Sequence, residues 1–251
     1  MRENRDHILA TVLFSSTLTI LVVLSVACYR SATNCFCQAD MTWLSPSAQI
    51  VDETISESQG GEFTISPFDH LFRSISAEHD TDWQLMSAIA YAESRFKPYA
   101  VSRLGACGLM QVMPRSAAEF GVSADKLHDP EVNIWVANKI FKHIERMLSY
   151  PDNITDRDRI SITLAAYNCG VGRLFDAQRL ARSEGRNPYR WSNIATYLYR
   201  LNYPNYYNRA EVYHGRFRGA PTTVAYVNTV VETYNHYRRS NLSEAWTFVW
   251  K

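Results

Sequence analysis

Trp83-Gln84-Leu85-Met86-Ser87-Ala88-Ile89-Ala90-Tyr91-Ala92-Glu93 sets Trp83, Met86, Ile89 and Ala90 at spacings of three and four, which is one apolar stripe of a helix. Glu93 is the next member of the series, so a carboxylate stands at the end of a face made for the interior. Thr81, followed three residues later by Gln84, reads as a capping box that starts this helix. The helical period continues outward on both sides. Pro67 opens a short helix to about Glu78, Pro114 begins another that Gly121 stops, and Asp129-Pro130 starts a long one to about Ser149. Ile160, Thr163, Leu164 and Tyr167 form a stripe closed by Gly170, helices are expected over 171–184 and 189–201, and Pro221 begins a last one to about Arg239. Only short runs such as Thr247–Trp250 have strand character, and neither an internal repeat nor βαβ alternation is present. The expectation is one all-α domain over 67–239 with a C-terminal tail at 240–251.

Apolar residues at 46% and aromatics at 13% are enough for a buried core in a chain of 251 residues, which excludes a disordered protein. The net charge of +1 hides an asymmetry: residues 30–66 carry mostly Asp and Glu, while 182–239 hold nine Arg against three Glu, with ten of the fifteen Tyr between Tyr189 and Tyr237. An Arg and Tyr surface suits an anionic or sugar partner, and tyrosines packed with only their hydroxyls at the surface account for part of the same pattern.

Arg2 and Arg5 precede an almost uncharged run from Ile8 to Ala27, a membrane-targeting segment by length and composition. Small residues run up to a cysteine in Leu24-Ser25-Val26-Ala27-Cys28, as in a bacterial lipoprotein signal, although Ser25 stands where leucine is usual and Glu3 and Asp6 dilute the positive flank. Three outcomes stay open: cleavage and lipidation at Cys28, a retained N-terminal helix, or soluble export. All three put the domain outside the cytoplasm. The expected location is the periplasm-facing envelope, as an outer-membrane lipoprotein since no obvious acidic sorting residue follows Cys28, with inner-membrane anchoring as the alternative. Residues 1–28 are thus the targeting segment, and 29–66, rich in Ser, Thr, Gln and Glu, are a tether. Cys35, Cys37, Cys107 and Cys169 remain for an oxidising compartment; Cys-x-Cys at 35–37 is too sparse for zinc, and no metal or other cofactor is expected.

A carboxyl group buried without a cation is pushed towards its neutral form and can donate a proton near neutrality. Glycosidases usually pair two carboxylates, and between Glu93 and Pro114 there is no second one. One carboxyl suffices where the sugar brings its own nucleophile. N-acetylmuramic acid does so: its acetamido oxygen stabilises the anomeric cation and its 6-hydroxyl closes a 1,6-anhydro ring.

Glu93-Ser94-Arg95-Phe96-Lys97-Pro98, then Ala100, Ser102, Gly105-Ala106 and Gly108-Leu109-Met110-Gln111-Val112-Met113-Pro114, resembles the first signature of the soluble lytic transglycosylase (SLT) family, and Ala165-Ala166-Tyr167-Asn168-x-Gly170 resembles its second. The likeness covers about 67–239, and Asn205-Tyr206-Tyr207 with Ala225-Tyr226-Val227 is most similar to the membrane-bound F branch of the family. The resemblance implies a lysozyme-like (goose-type) helical domain that cleaves the β-1,4 bond between N-acetylmuramic acid and N-acetylglucosamine without water. It implies Glu93 as the catalytic acid/base. It also implies Ser102, Met110, Gln111, Tyr167, Asn168 and Tyr226 as substrate-binding residues, Tyr167 turning its hydroxyl to the Glu93 carboxyl or the acetamido group. Ser102 as a loop cap, Met110 as plain core and Asn168 bound to backbone are the structural alternatives.

Cys107 and Cys169 stand where the family commonly has other residues. Both signatures flank one cleft in the family fold, so the resemblance leaves two outcomes open, a Cys107–Cys169 disulfide tying the loop to the Tyr167 helix or two small buried thiols. Expected partners are peptidoglycan strands, the membrane through the N-terminal anchor and cell-wall machinery proteins. The rival functions are a lysozyme-type hydrolase with the same Glu93, and a non-catalytic murein-binding scaffold. Nucleic-acid binding is set aside because the chain is exported.

Overall fold

The computed structural model describes residues 63–249, with side chains through 240. The targeting segment, Cys28, Cys35, Cys37 and nearly all of the tether lie outside the described residues. Within them the chain forms α1 (Asp69–His79), α2 (Trp83–Ser94), α3 (Pro114–Ala118), a 3₁₀ turn (Ala124–His128), α4 (Pro130–Leu148), α5 (Asp156–Cys169), α6 (Val171–Ser183), α7 (Trp191–Arg200), α8 (Pro204–Tyr207) and α9 (Ala220–Val249). Pairing among the described residues is limited to two isolated bridges, Val101 with Cys107 and Cys107 with Val112.

The helix starts have local causes. Asp82, not Thr81, caps α2, its carboxylate accepting the Gln84 and Leu85 N–H groups at 2.9 and 3.3 Å. A carboxylate one residue later reaches two orphan donors, so the expected capping box does not form; the Thr81 hydroxyl donates instead to Asn138 Oδ1 on α4. Asp129 does the same for α4 through Glu131 and Val132, with Pro130 at the first helical position where its missing N–H costs nothing. Gly170, at φ 86°, ends α5 and lets α6 begin one residue later in a new direction. The last helix does not stop near Arg239. No Gly or Pro stands between Pro221 and Val249, and the helix runs through residues expected to be tail or strand.

Met86, Ile89 and Ala90 of the sequence stripe are fully buried. Trp83 lies at its edge, covered by the Arg73 guanidinium 3.9 Å above the ring. Helix α9 packs along α2 and α5, and α4 closes the other side against α1 and α5. Val227, Val230, Tyr234 and Tyr237 of α9 join this core, so several of the C-terminal tyrosines are packing residues, and the Tyr234 hydroxyl donates to the Asp82 carboxylate. The consequence for the site is positional: α9, α5 and the end of α2 meet.

Candidate active site

Helix α2 ends at Ser94, and Arg95 and Phe96 follow at φ 51° and 58°, which turns the chain sharply away from the helix axis. The Ser94 hydroxyl donates to the Leu109 carbonyl at 2.8 Å and accepts the Lys97 N–H at 3.1 Å. The residue after the candidate acid therefore fastens the glycine-containing loop to the helix end. Asn133 of α4, fully buried, holds the loop from beneath. Its amide donates to the carbonyls of Cys107 and Leu127 at 3.0 and 2.9 Å, and its Oδ1 accepts the Met110 N–H at 2.7 Å. A Cβ on Gly108 would stand 2.3 Å from both the Asn133 amide nitrogen and the Leu127 carbonyl, so the close approach needs glycine.

Glu93 projects from the last turn of α2, partly buried. Burial raises its pKa from 4.5 to about 7, and the Tyr226 hydroxyl opposes this by stabilising the ionised form. The α2 carbonyl end adds a further disfavour for negative charge. Tyr226 reaches the carboxyl from α9. Its hydroxyl is buried and has no hydrogen-bond partner of normal geometry among the described residues, which leaves it aimed at the Glu93 region without a settled bond. Tyr167 approaches from α5. Burial, with the Glu93 charge second, holds both phenols well above their usual range, so neither is a proton source near neutrality.

The other sequence candidates divide. The Tyr167 hydroxyl donates to the Met110 carbonyl at 3.0 Å, so its proton is spent on the loop while the ring stays beside Glu93. Met110 itself has no exposed surface and offers a substrate nothing in this state; its backbone does the positioning. Ser102 Oγ accepts the Ala106 N–H at 2.9 Å, which is the loop-cap role, and leaves its own proton available. Gln111, at φ 47°, turns its amide back onto the Ala100 and Gly108 carbonyls at 3.2 and 3.0 Å. Asn168 is exposed, and its Oδ1 accepts the Thr223 hydroxyl of α9 at 2.9 Å, leaving the NH₂ free. The Cys107–Cys169 bridge is not formed. Cys107 Sγ faces the Gly105 carbonyl and Cys169 Sγ the Gly170 carbonyl, each turned to its own chain, and burial pushes the Cys169 thiol up to about 12.

Residues 70–190 match the family model "Transglycosylase SLT domain". Over these residues the chain is similar to that family. Among curated relatives, the membrane-bound lytic murein transglycosylase F of Stutzerimonas stutzeri is 36% identical over 149 residues, covering 59% of this chain and 30% of the relative. That of Cellvibrio japonicus is 38% identical over 147 residues, covering 59% of this chain and 28% of the relative. The chain thus spans less than a third of the length of these relatives. The crystal structure of the 70 kDa soluble lytic transglycosylase from Escherichia coli aligns over 68% of this chain and 24% of that one, at 24% identity and a TM-score of 0.46. The all-helical fold of the described residues agrees with the class that the two sequence signatures implied.

Two residues of the matched stretch and one beyond it escaped the sequence reading. Asn133 stands among the apolar residues Ile134, Val136 and Ala137 on a buried helix face, and a polar residue there was a legible signal for a buried bonding task. Thr223 left no signal of its own. Asp176, with no exposed surface on α6, is the third.

Proposed function

We propose that the chain is a peptidoglycan lytic transglycosylase in which Glu93 alone serves as acid and then base. The observation that carries this is a partly buried carboxyl, poised near pH 7, that burial raises against the opposing Tyr226 hydroxyl with no cation involved. Such a group populates both protonation states at working pH, which suits a proton moved in two directions. In the first half-reaction Glu93 gives its proton to the glycosidic oxygen as the bond to the anomeric carbon breaks, and the acetamido oxygen of the same sugar bonds that carbon. In the second, the Glu93 carboxylate takes the proton of the 6-hydroxyl, whose oxygen attacks the anomeric carbon and releases the acetamido group. One bond to carbon is lost, one is made, the proton is returned and no water is consumed. Tyr226 steadies the ionised state between the halves, and the Asn168 NH₂ and Ser102 hydroxyl are spare donors for sugar or acetamido oxygens. The relatives' printed names, membrane-bound lytic murein transglycosylase F, support the same substrate.

The product decides between this and hydrolysis. Purified sacculi digested by the full chain should release muropeptides ending in 1,6-anhydro sugars, one water lighter than the hydrolytic products by mass spectrometry; reducing ends alone would make the enzyme a lysozyme-type hydrolase. We also propose attachment to the cell envelope through residues 1–28, by lipidation of Cys28 or a retained helix. Mass spectrometry of the N-terminal peptide from membranes distinguishes the two.

A further inference from the structure

Residues 94–118 contain Arg95, Lys97, Arg103 and Arg115 and no Asp or Glu. All four cations are exposed. Among them stand three large apolar side chains in six residues: Leu104 is 84% exposed, Tyr99 79% and Val101 61%. Leu104 sits at the tip of a turn closed by the Gly105 N–H on the Ser102 carbonyl at 3.0 Å, and Val101 is in the stem, bridged to Cys107. The inner half of the loop is clamped by Ser94 and Asn133, so the tip is mounted on a fixed base. Solvent-facing turns are ordinarily built of Gly, Asn, Asp and Ser, and a turn with leucine at its tip and an exposed valine in its stem departs from that.

The side chains narrow the partner. Valine and leucine offer a sugar neither a flat stacking face nor a hydrogen bond, which leaves Tyr99 as the one sugar-compatible member. Exposed apolar side chains, an interfacial tyrosine and exposed cations within a stretch that carries no Asp or Glu match an anionic phospholipid surface. The apolar groups enter below the headgroups and the cations remain among the phosphates. We propose that the turn at 99–104 is where this domain rests on an anionic bilayer. The run Ile8–Ala27 supplies the proximity, because the 35 residues between it and Phe63 keep the domain within at most about 120 Å of the membrane that holds it. This inference leans on the membrane-targeting reading of the N-terminus and not on glycan cleavage. Because Ser94 joins the loop to the Glu93 helix, docking would hold the Glu93 site close to the bilayer and favour the murein strands nearest to it.

Photo-crosslinking tests the proposal on the full chain. Benzoylphenylalanine is substituted at Leu104 or, outside the loop, at Met147, which is 44% exposed near the end of α4. Each protein is bound to vesicles of phosphatidylethanolamine with phosphatidylglycerol, or of phosphatidylcholine alone, and lipid adducts are weighed after irradiation. Both positions ride on the same anchored chain, so the difference between them reads which face meets the lipid. The expected result is a several-fold excess of adducts at 104 on the phosphatidylglycerol vesicles. That excess should fall about fivefold with Lys97→Gln and further in high salt. Equal yields at 104 and 147, no preference for phosphatidylglycerol, or transfer of the 104 adduct from lipid to murein glycan when both are present would each overturn it.

Discussion

Glu93 on α2 and Asp176 on α6 are two carboxylates treated in opposite ways. Asp176 of α6 has no exposed surface, yet donors surround it: the Arg179 guanidinium, the Tyr213 and His214 N–H groups at 3.0 Å each, and His214 Nδ1 at 3.2 Å. Arg173 clasps the same strap through the His214 and Gly215 carbonyls. This carboxylate is a latch that ties residues 211–215 to α6 just ahead of α9. Glu93 is less enclosed, but its company is phenolic and its pKa is the one driven to about 7. Burial alone does not make an acid; burial without donors does. A search for catalytic carboxyls by depth alone would rank these two wrongly.

The sharpest way to break the contrast is Glu93→Gln, which keeps shape and cannot cycle a proton. Muropeptide release should fall by about a thousandfold or more while the circular dichroism spectrum and murein binding stay unchanged. Activity near wild type would remove Glu93 from the mechanism. Asp176→Ala should do the reverse, lowering stability by about 3–5 kcal/mol in urea unfolding because Arg179 and two backbone donors lose their acceptor. A loss below about 1 kcal/mol would mean that the latch carries little.

The third test uses pH. Between 4.5 and about 7 the folded chain keeps a proton on Glu93 that the unfolded chain has shed, so this group's contribution to stability is complete below 4.5 and is lost as pH rises through about 7. Glu93→Gln escapes that loss. It should be more stable than wild type by up to roughly 2–3 kcal/mol at about pH 8, an advantage gone at about pH 4. Thermal melts at both pH values would show it, and a constant difference would refute it. The smallest effect is expected from Tyr226→Phe. Losing the hydroxyl that favours the ionised carboxyl should raise the Glu93 pKa further. The alkaline fall in kcat/KM, where the initial proton is lost, should then move to higher pH with little change in the plateau.

Most helices were legible because punctuation and period agreed: Pro130 after Asp129, Gly170 after Tyr167, and the stripe from Trp83 to Ala90. Glu93 was legible as the polar member of that stripe. What the sequence concealed came from contacts across long separations. Thr81 and Asp82 are both competent caps, and only the approach of Asn138 shows why the threonine is engaged elsewhere. Met110 looked like a cleft residue, but its side chain is core and its carbonyl anchors Tyr167. Asp176 lies in a helix rich in Arg, where local pairing explains it well enough that nothing pointed to the strap 37 residues away.

Gly108 has a practical meaning for anyone who diversifies this chain. Randomised codons at Tyr99, Val101 and Leu104 would return many folded survivors, since these three side chains are largely exposed. A library at position 108 should collapse to a single codon family, because even one methyl group must displace the Leu127 carbonyl and the asparagine that supports the loop. Retuning of this rim by selection would therefore run through its outer arc and pivot on one unchanging point.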